Sequence, residues 1–298
     1  MPELEIFAQL RGKMRTEIIL AKRCWLQVGG AAEYLFTPAD AADLVKFRQI
    51  CPPNIPIFPL GVGSNLLVRD GGIKGVVLRL GREFAQMQIL ENNRILVGAA
   101  ALDVNLAQFA CQHNIAGLEF LKGIPGTIGG ALAMNAGAYG REISDVLESA
   151  QLVDATGNIL NLSPQELNFS YRHSQPPTGA IFTSAILQGK AGNTEEIQTR
   201  MDEITKARSQ TQPINSRTGG STFQNPPQHK AWELIDQAGC RGLQIGGAQM
   251  SELHCNFLIN TGNATAADLE NLGEEVRRRV WENSKVQLEW EIKRVGQI

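Results

Sequence analysis

The residues of this chain whose types could do chemistry fall in three short clusters: Phe169-Ser-Tyr171-Arg172-His173-Ser174, Arg217-Thr-Gly-Gly-Ser221-Thr-Phe-Gln-Asn-Pro226, and the polar face of the last strand with Glu289 and Glu291. A guanidinium matches a carboxylate or phosphate through two parallel hydrogen bonds, so Arg172 suits an anionic substrate. A serine after two glycines stands where its hydroxyl can be presented to a ligand. Each residue also has a purely structural explanation. Surface arginines are common, Ser221 is a residue type that closes turns, and alternation gives Glu289 and Glu291 one strand face without separating them. No serine, histidine and acid follow in an order that defines a hydrolytic triad.

Two glycine-rich segments stand upstream. The longer runs from Gly123 to Gly140, with glycine at 123, 126, 129, 130, 137 and 140 and alanine at 131, 133, 136 and 138. The shorter, Gly61-Val-Gly63-Ser64-Asn65, directly follows the apolar run Ile55 to Leu60. Backbone so stripped of side chains lets a ligand press against it, and two such loops suggest a large anionic ligand cradled by main-chain N–H groups. The usual dinucleotide fingerprint is absent, because the shorter loop lacks a third glycine and leads into a second short strand and turn instead of a helix. A P-loop lysine is missing too. Pro125 and Asn135 break the longer run, which is shorter than the roughly 20 apolar residues of a membrane span.

The rest of the chain must position these pieces. Its 298 residues allow two domains on a prior of roughly 150 residues each. A hydrophobic content of 43% with 19% charged residues belongs to an ordinary soluble protein, and a net charge of −2 gives no bulk attraction to nucleic acid or membrane. The five scattered cysteines and four histidines show no metal-ligand spacing, and with no evident signal peptide the expectation is a reducing cytoplasm.

Periodicity predicts helices over Asp40–Gln49, Leu102–His113, Lys230–Gln237 and Thr265–Asn283, and one beginning at a Thr194 N-cap with Ile197, Met201 and Ile204 as its apolar stripe. Strands are expected at Val76–Leu80, Arg94–Val97 and Cys255–Asn260, with a hairpin joining Ala150–Asp154 to Ile159–Leu162. A clean alternation at Val286, Leu288, Trp290 and Ile292 predicts a final strand. The polar, aperiodic stretch 209–218 marks a domain boundary. Pattern alone therefore ends at a two-domain α+β protein that binds a phosphate-bearing ligand.

Taken in order, the motifs carry a resemblance. They run from Val28-Gly-Gly30 through Gly61–Val68, Leu118–Gly130, Asn135–Gly140, Tyr171-Arg172, Gly220–Pro226, Gly246–Gln249 and Asn260–Thr265 to Leu288-Glu-Trp-Glu291. The chain resembles the UDP-N-acetylenolpyruvoylglucosamine reductase family, flavoenzymes of bacterial peptidoglycan precursor synthesis, over nearly its whole length. With no tyrosine-bearing insertion after Asn260, it looks like the compact branch. The resemblance implies an α+β, FAD-binding fold of the vanillyl-alcohol-oxidase (PCMH) type over 1–205, in lobes of about 1–75 and 76–205. A smaller α+β domain for the UDP-sugar would follow over 206–298. It assigns non-covalent FAD to Gly61, Gly63, Ser64, Asn65, Gly123, Pro125, Gly126, Thr127, Gly130, Asn135 and Gly137, and substrate to Tyr139, Tyr171, Arg172 and Asn225.

The implied reaction takes hydride from NADPH, through FAD N5, to C3 of the enolpyruvyl group, forming UDP-N-acetylmuramate. Arg172 and a protonated Glu291 match the positions that stabilise charge spreading into the substrate carboxylate, and Ser221 matches the proton donor to C2. Gln224 and Lys293 depart from the lysine and arginine frequent there, both near the diphosphate or carboxylate. No obligate protein partner, nucleic acid, metal or membrane insertion is expected. Two rivals remain: an alcohol oxidase of the same fold, disfavoured because no histidine or cysteine lies in the glycine loops to tether flavin, and a non-enzymatic flavin or nucleotide-sugar binder.

Overall fold

Local capping and periodicity account for most of the helices in the structure, a computed structural model that describes residues 6–298. Helix α1 (Ala41–Ile50) starts at Asp40, whose carboxylate accepts the Asp43 N–H. Helix α2 spans Asp103–Gln112 and α3 spans Ile128–Met134, capped by Thr127 and ended by Asn135 in the left-handed conformation. Helix α4 (Thr194–Thr211) buries Ile197, Met201 and Ile204, as its stripe predicts. Its cap is a correction: Asn193 Oδ1 accepts the N–H groups of Glu195 and Glu196, while Thr194 Oγ1 donates to the Cys111 carbonyl. The helix also runs two turns' worth of polar residues past Ile204, so part of the aperiodic stretch is helical. Helices α5 (Ala231–Gln237) and α6 (Ala266–Ser284) follow. The latter carries a capping box of Thr265 with Asp268 and buries Leu269, Leu272, Val276 and Val280 on one stripe.

The chain packs as two compact units that are not consecutive in sequence. One holds the described residues up to Arg15, Tyr34–Gly61 and Gly75–Lys206; the other holds Thr16–Glu33, Val62–Lys74 and Ala207–Ile298. In the first unit, an antiparallel sheet orders Ile159–Leu162, Leu147–Val153, Ile181–Gln188, Arg94–Gly98 and Met87–Leu90. The predicted hairpin is its edge, with Ala150 opposite Leu162. Its apolar residues Ile95, Val97, Leu152 and Leu187 join Leu106 of α2 and Ile128 and Leu132 of α3 in one core. A second core in this unit packs Phe36 and Phe47 with rings 4.7 Å apart, beside Val76 and Leu78. There, Ile57–Pro59 pairs in parallel with Val76–Leu78 and delivers the chain into the first glycine loop.

In the second unit, Arg217–Thr218, Leu258–Asn260, Ala248–Met250 and Gln244–Ile245 form an antiparallel sheet whose core includes the apolar stripe of α6. The final strand is shorter than alternation predicts. Leu288 and Ile292 are buried and Gln287 and Glu289 exposed, so the period is real, but among the described residues 286–292 makes no ladder, only an isolated bridge from Trp290 to Phe223. The regular ladder begins at Lys293–Val295, parallel to Leu66–Val68. Side-chain alternation reports an extended backbone with one dry face, and it does not require a hydrogen-bonded neighbour on both sides.

One charged residue breaks the pattern of α2. Asp103, at its first position, is fully buried, and neither carboxylate oxygen has a hydrogen-bond partner among the described residues. Burial pushes its carboxyl well above the usual range. The folded state then binds a proton that the unfolded state releases above about pH 4, so this group lowers stability as pH rises through the window between the two values. Asp103→Asn, which removes the titration and keeps the shape, is expected to raise the melting temperature relative to the native chain, and more at pH 8 than at pH 5. Each kcal/mol should appear as about 2–4 °C in a chain of this size. A difference that is equal at the two pH values would remove the buried proton from the account.

Candidate active site

The two glycine loops meet at Gly61. A Cβ placed there would lie 2.8 Å from Thr127 Oγ1, so the close approach of the first loop to the start of α3 requires glycine. Gly63 has φ +64 and its own missing Cβ would fall 2.8 Å from the Cys24 Cα, while its carbonyl accepts the Trp25 N–H. Among the described residues, the N–H groups of Gly61, Val62, Gly63 and Ser64 have no backbone acceptor. The first turn of α3 is different. Ile128 and Gly129 donate to the carbonyls of Ala101 and Ala99, and Gly130 donates to Thr127 Oγ1. The N–H groups of the first loop are thus available to an anion such as phosphate.

Open space of the kind a bound cofactor needs lies at two glycines, one in each unit. Among the described residues, and apart from its own helix backbone and chain neighbours, a Cβ at Gly130 would have only Thr127 Oγ1 within 4 Å, and one at Gly220 would have nothing. Neither glycine has a positive φ. Packing and backbone conformation thus leave these two glycines unexplained, as expected where backbone faces a ligand. Gly123 and Gly137 have internal reasons instead: the Tyr139 ring lies over the first, and the Arg141 carbonyl stands 2.7 Å from where the second would carry a Cβ. Pro125 is half-buried, and the Gly126 carbonyl accepts the Asp103 N–H. Tyr139 donates its hydroxyl to the Ile204 carbonyl at 3.2 Å.

Arg172 sits at the tip of a tight turn in the first unit. Ser170 and His173 exchange both backbone hydrogen bonds, at 3.0 and 3.1 Å, leaving Tyr171 and Arg172 between them. Arg172 takes φ 56, a left-handed value that a long side chain adopts at a cost of about 1 kcal/mol or more. Its guanidinium donates to the Gly137 carbonyl at 3.2 Å and lies 5.0 Å from the Tyr171 ring centre. Asn135, expected as a cofactor contact, has a fully buried side chain with both ends engaged. Its Nδ2 donates to Ser170 O at 3.1 Å and its Oδ1 accepts Ser144 N at 3.1 Å. It ties the end of the glycine run to the turn that carries Arg172.

Ser221 and Glu291 are brought together in the second unit by two segments running antiparallel. Thr222 O accepts Glu291 N at 2.8 Å and Ile292 N at 3.3 Å, and Gln224 N donates to Glu289 O at 2.9 Å. Phe223 is bracketed by Asn256, which accepts its N–H at 3.0 Å and donates to its carbonyl at 2.9 Å. Thr222 N donates to Asn256 O at 2.8 Å. Asn256 carries no sequence signal of this role, because an asparagine inside an apparent strand does not announce that its side chain imitates a neighbouring strand.

Glu291 is half-buried and Glu289 exposed, a distinction that alternation could not make. Next to Glu291, Trp290 Nε1 donates to Glu274 at 2.9 Å, and Arg294 bonds the same carboxylate at 2.8 Å while stacking 4.5 Å from the indole centre. Burial pushes the Glu274 carboxyl up, but hydrogen bonds from Trp290 and Arg277 and the charges of Arg277 and Arg294 hold it below its ordinary value. Asn225 uses its Oδ1 to accept Ala231 N at 3.0 Å, at the start of α5. Lys293 and Gln224 flank this pair of segments, one exposed and one half-buried.

Fold and comparisons together place the chain among flavoproteins of the vanillyl-alcohol-oxidase type. Residues 32–163 match the family model described as an FAD binding domain. The fold is like that of 6-hydroxy-D-nicotine oxidase from Arthrobacter nicotinovorans, at a TM-score of 0.62 and 13% identity, over 94% of this chain and 87% of that one. Residues 212–295 match the model of the UDP-N-acetylenolpyruvoylglucosamine reductase C-terminal domain. The chain is 54% identical over 292 residues to UDP-N-acetylenolpyruvoylglucosamine reductase of Paramagnetospirillum magneticum, covering 98% of this chain and 95% of that protein. It also superposes on the crystal structure of the Thermus caldophilus reductase with a TM-score of 0.82 at 37% identity, over 96% of this chain and all of that one. The chain belongs to the UDP-N-acetylenolpyruvoylglucosamine reductase family.

Proposed function

We propose that this enzyme reduces the enolpyruvyl group of UDP-N-acetylglucosamine enolpyruvate, with NADPH as reductant, to give UDP-N-acetylmuramate. The observation that carries the reading, beside family membership, is the pairing of 222–224 with 289–292, which sets a serine hydroxyl and a half-buried carboxyl on adjoining segments. The N–H groups of the first glycine loop would hold FAD, which would supply the hydride chemistry from NADPH to C3. The UDP-sugar falls to the 206–298 stretch, where Asn225 and the space at Gly220 support it, and Tyr171 and Tyr139 are assigned to substrate as well.

As C3 gains hydride, negative charge develops at C2 and spreads into the conjugated carboxylate. Arg172 offers that carboxylate two parallel N–H donors, and protonated Glu291 offers a third donor. Donors fixed in advance at the site of growing charge lower the barrier without reorganisation. Ser221 Oγ gives its proton to C2 and regains one from solvent. A free serine is a very weak acid, so the step depends on C2 being carbanion-like when the proton moves. The cytoplasm is the expected compartment, supported by five free thiols, and no helix among the described residues is long and apolar enough to cross a membrane. We assign no obligate protein or nucleic-acid partner.

The test is an anaerobic half-reaction followed by flavin absorbance. Stoichiometric NADPH should bleach the flavin, and UDP-N-acetylglucosamine enolpyruvate should restore it promptly. Flavin that stays reduced until oxygen is admitted would replace the reductase reading with an oxidase, and acid precipitation should release the flavin free in solution.

A further inference from the structure

The last residue of the first glycine loop holds the backbone of Glu291. Asn65 Nδ2 donates to the Glu291 carbonyl at 2.9 Å, and the Asn65 carbonyl accepts Lys293 N at 3.1 Å. The next residue, Leu66, is the parallel partner of Lys293. One residue back, the Ser64 carbonyl accepts Gly220 N at 3.2 Å, beside Ser221. Two consecutive loop residues therefore grip both segments that carry the proton-handling groups. The Glu291 peptide is fixed at both ends, its N–H on Thr222 O and its carbonyl on Asn65. Of these bonds only the Asn65 amide belongs to a side chain, so it alone can be removed without altering the backbone.

We propose that Asn65 is a positioning residue that acts through Glu291. This inference rests on the role given to Glu291 above. With the amide gone, the Glu291 carbonyl loses the donor that Asn65 supplies, so the carboxyl on this residue is less firmly aimed. A misplacement of the order of 1 Å costs up to about 100-fold in rate. The Asn65 amide donates to the Glu291 carbonyl, and its loop neighbours offer N–H donors to phosphate.

A double-mutant cycle decides this. Native protein, Asn65→Ala, Glu291→Gln and the double variant are compared in three measurements: FAD affinity of the apoprotein by fluorescence titration, flavin reduction by NADPH, and reoxidation by the enolpyruvyl sugar nucleotide. Asn65→Ala should bind FAD and react with NADPH near the native values, and reoxidise about 30-fold more slowly. In the Glu291→Gln background, removing Asn65 should cost less than about twofold further, because the group it aims is already gone. A full additional loss there would overturn the proposal, as would weakened FAD binding with native reoxidation at saturating FAD. Should Asn65→Ala fail to fold, Asn65→Asp runs the same cycle, since it keeps the shape and replaces the donor with an oxygen facing the carbonyl. Failure of the native protein to reoxidise with this substrate would overturn the site reading itself, whereas additivity overturns the role of Asn65 alone.

Discussion

Ser221→Ala is expected to reduce its flavin with NADPH within about threefold of the native rate, and to reoxidise with the enolpyruvyl sugar nucleotide about 10³-fold more slowly. The asymmetry follows from where a proton is needed. Flavin reduction by a nicotinamide moves no proton to a substrate carbon, so a hydroxyl at 221 has nothing to contribute. The second half requires a proton at C2, and solvent must replace a donor already in place. The change should not disturb the fold, because the backbone beside it is held independently: Thr222 by Asn256 O and Glu291 N, and Gly220 by Ser64 O. Stopped-flow measurement of both halves checks this. Equal losses in the two would remove the proton-donor role from Ser221.

Arg172→Gly is expected to lower turnover about 10²–10³-fold while changing the melting temperature by no more than about 3 °C. Two effects on stability oppose each other. Glycine relieves the left-handed strain at φ 56, of the order of 1 kcal/mol. It also loses the bond to the Gly137 carbonyl and the contact with the Tyr171 ring, together of similar size. The activity has no such compensation, since the variant lacks the guanidinium we propose as the two-pronged donor to the substrate carboxylate. A strained residue kept for stability would give the reverse pattern, a clear fall in melting temperature with turnover preserved. Differential scanning fluorimetry beside steady-state rates distinguishes them.

Much of the local structure was legible because it depends on short-range rules. Apolar spacing placed the stripes of α4 and α6, and the hairpin at 154–158 follows from turn chemistry between two alternating runs. The failures were those of groups that answer to distant partners. Thr194 looked like a cap, but the Asn193 side chain reaches the first N–H groups and Thr194 turns to Cys111 instead. The final strand showed perfect alternation, yet its ladder starts only at Lys293, where Leu66–Val68 is available as a partner. Asp103 gave no warning at all, since a first-turn aspartate is normally solvated and favoured there.

What the sequence determined by itself is the inventory: two glycine loops, an arginine, a serine and a carboxylate in an order resembling a single flavoenzyme family. Composition and spacing carry that much because they reflect which residue types a ligand and a reaction demand. Tertiary structure alone decided which glycines face packing and which face open space, which of Glu289 and Glu291 is shielded, and that Asn135 and Asn65 spend their side chains on the backbone of other segments. The physical reason is that hydrogen bonds across gaps of 35 and 226 residues leave no periodic trace in the chain. An amide that orders a neighbour and an amide that touches a ligand look identical until the fold shows where each one points.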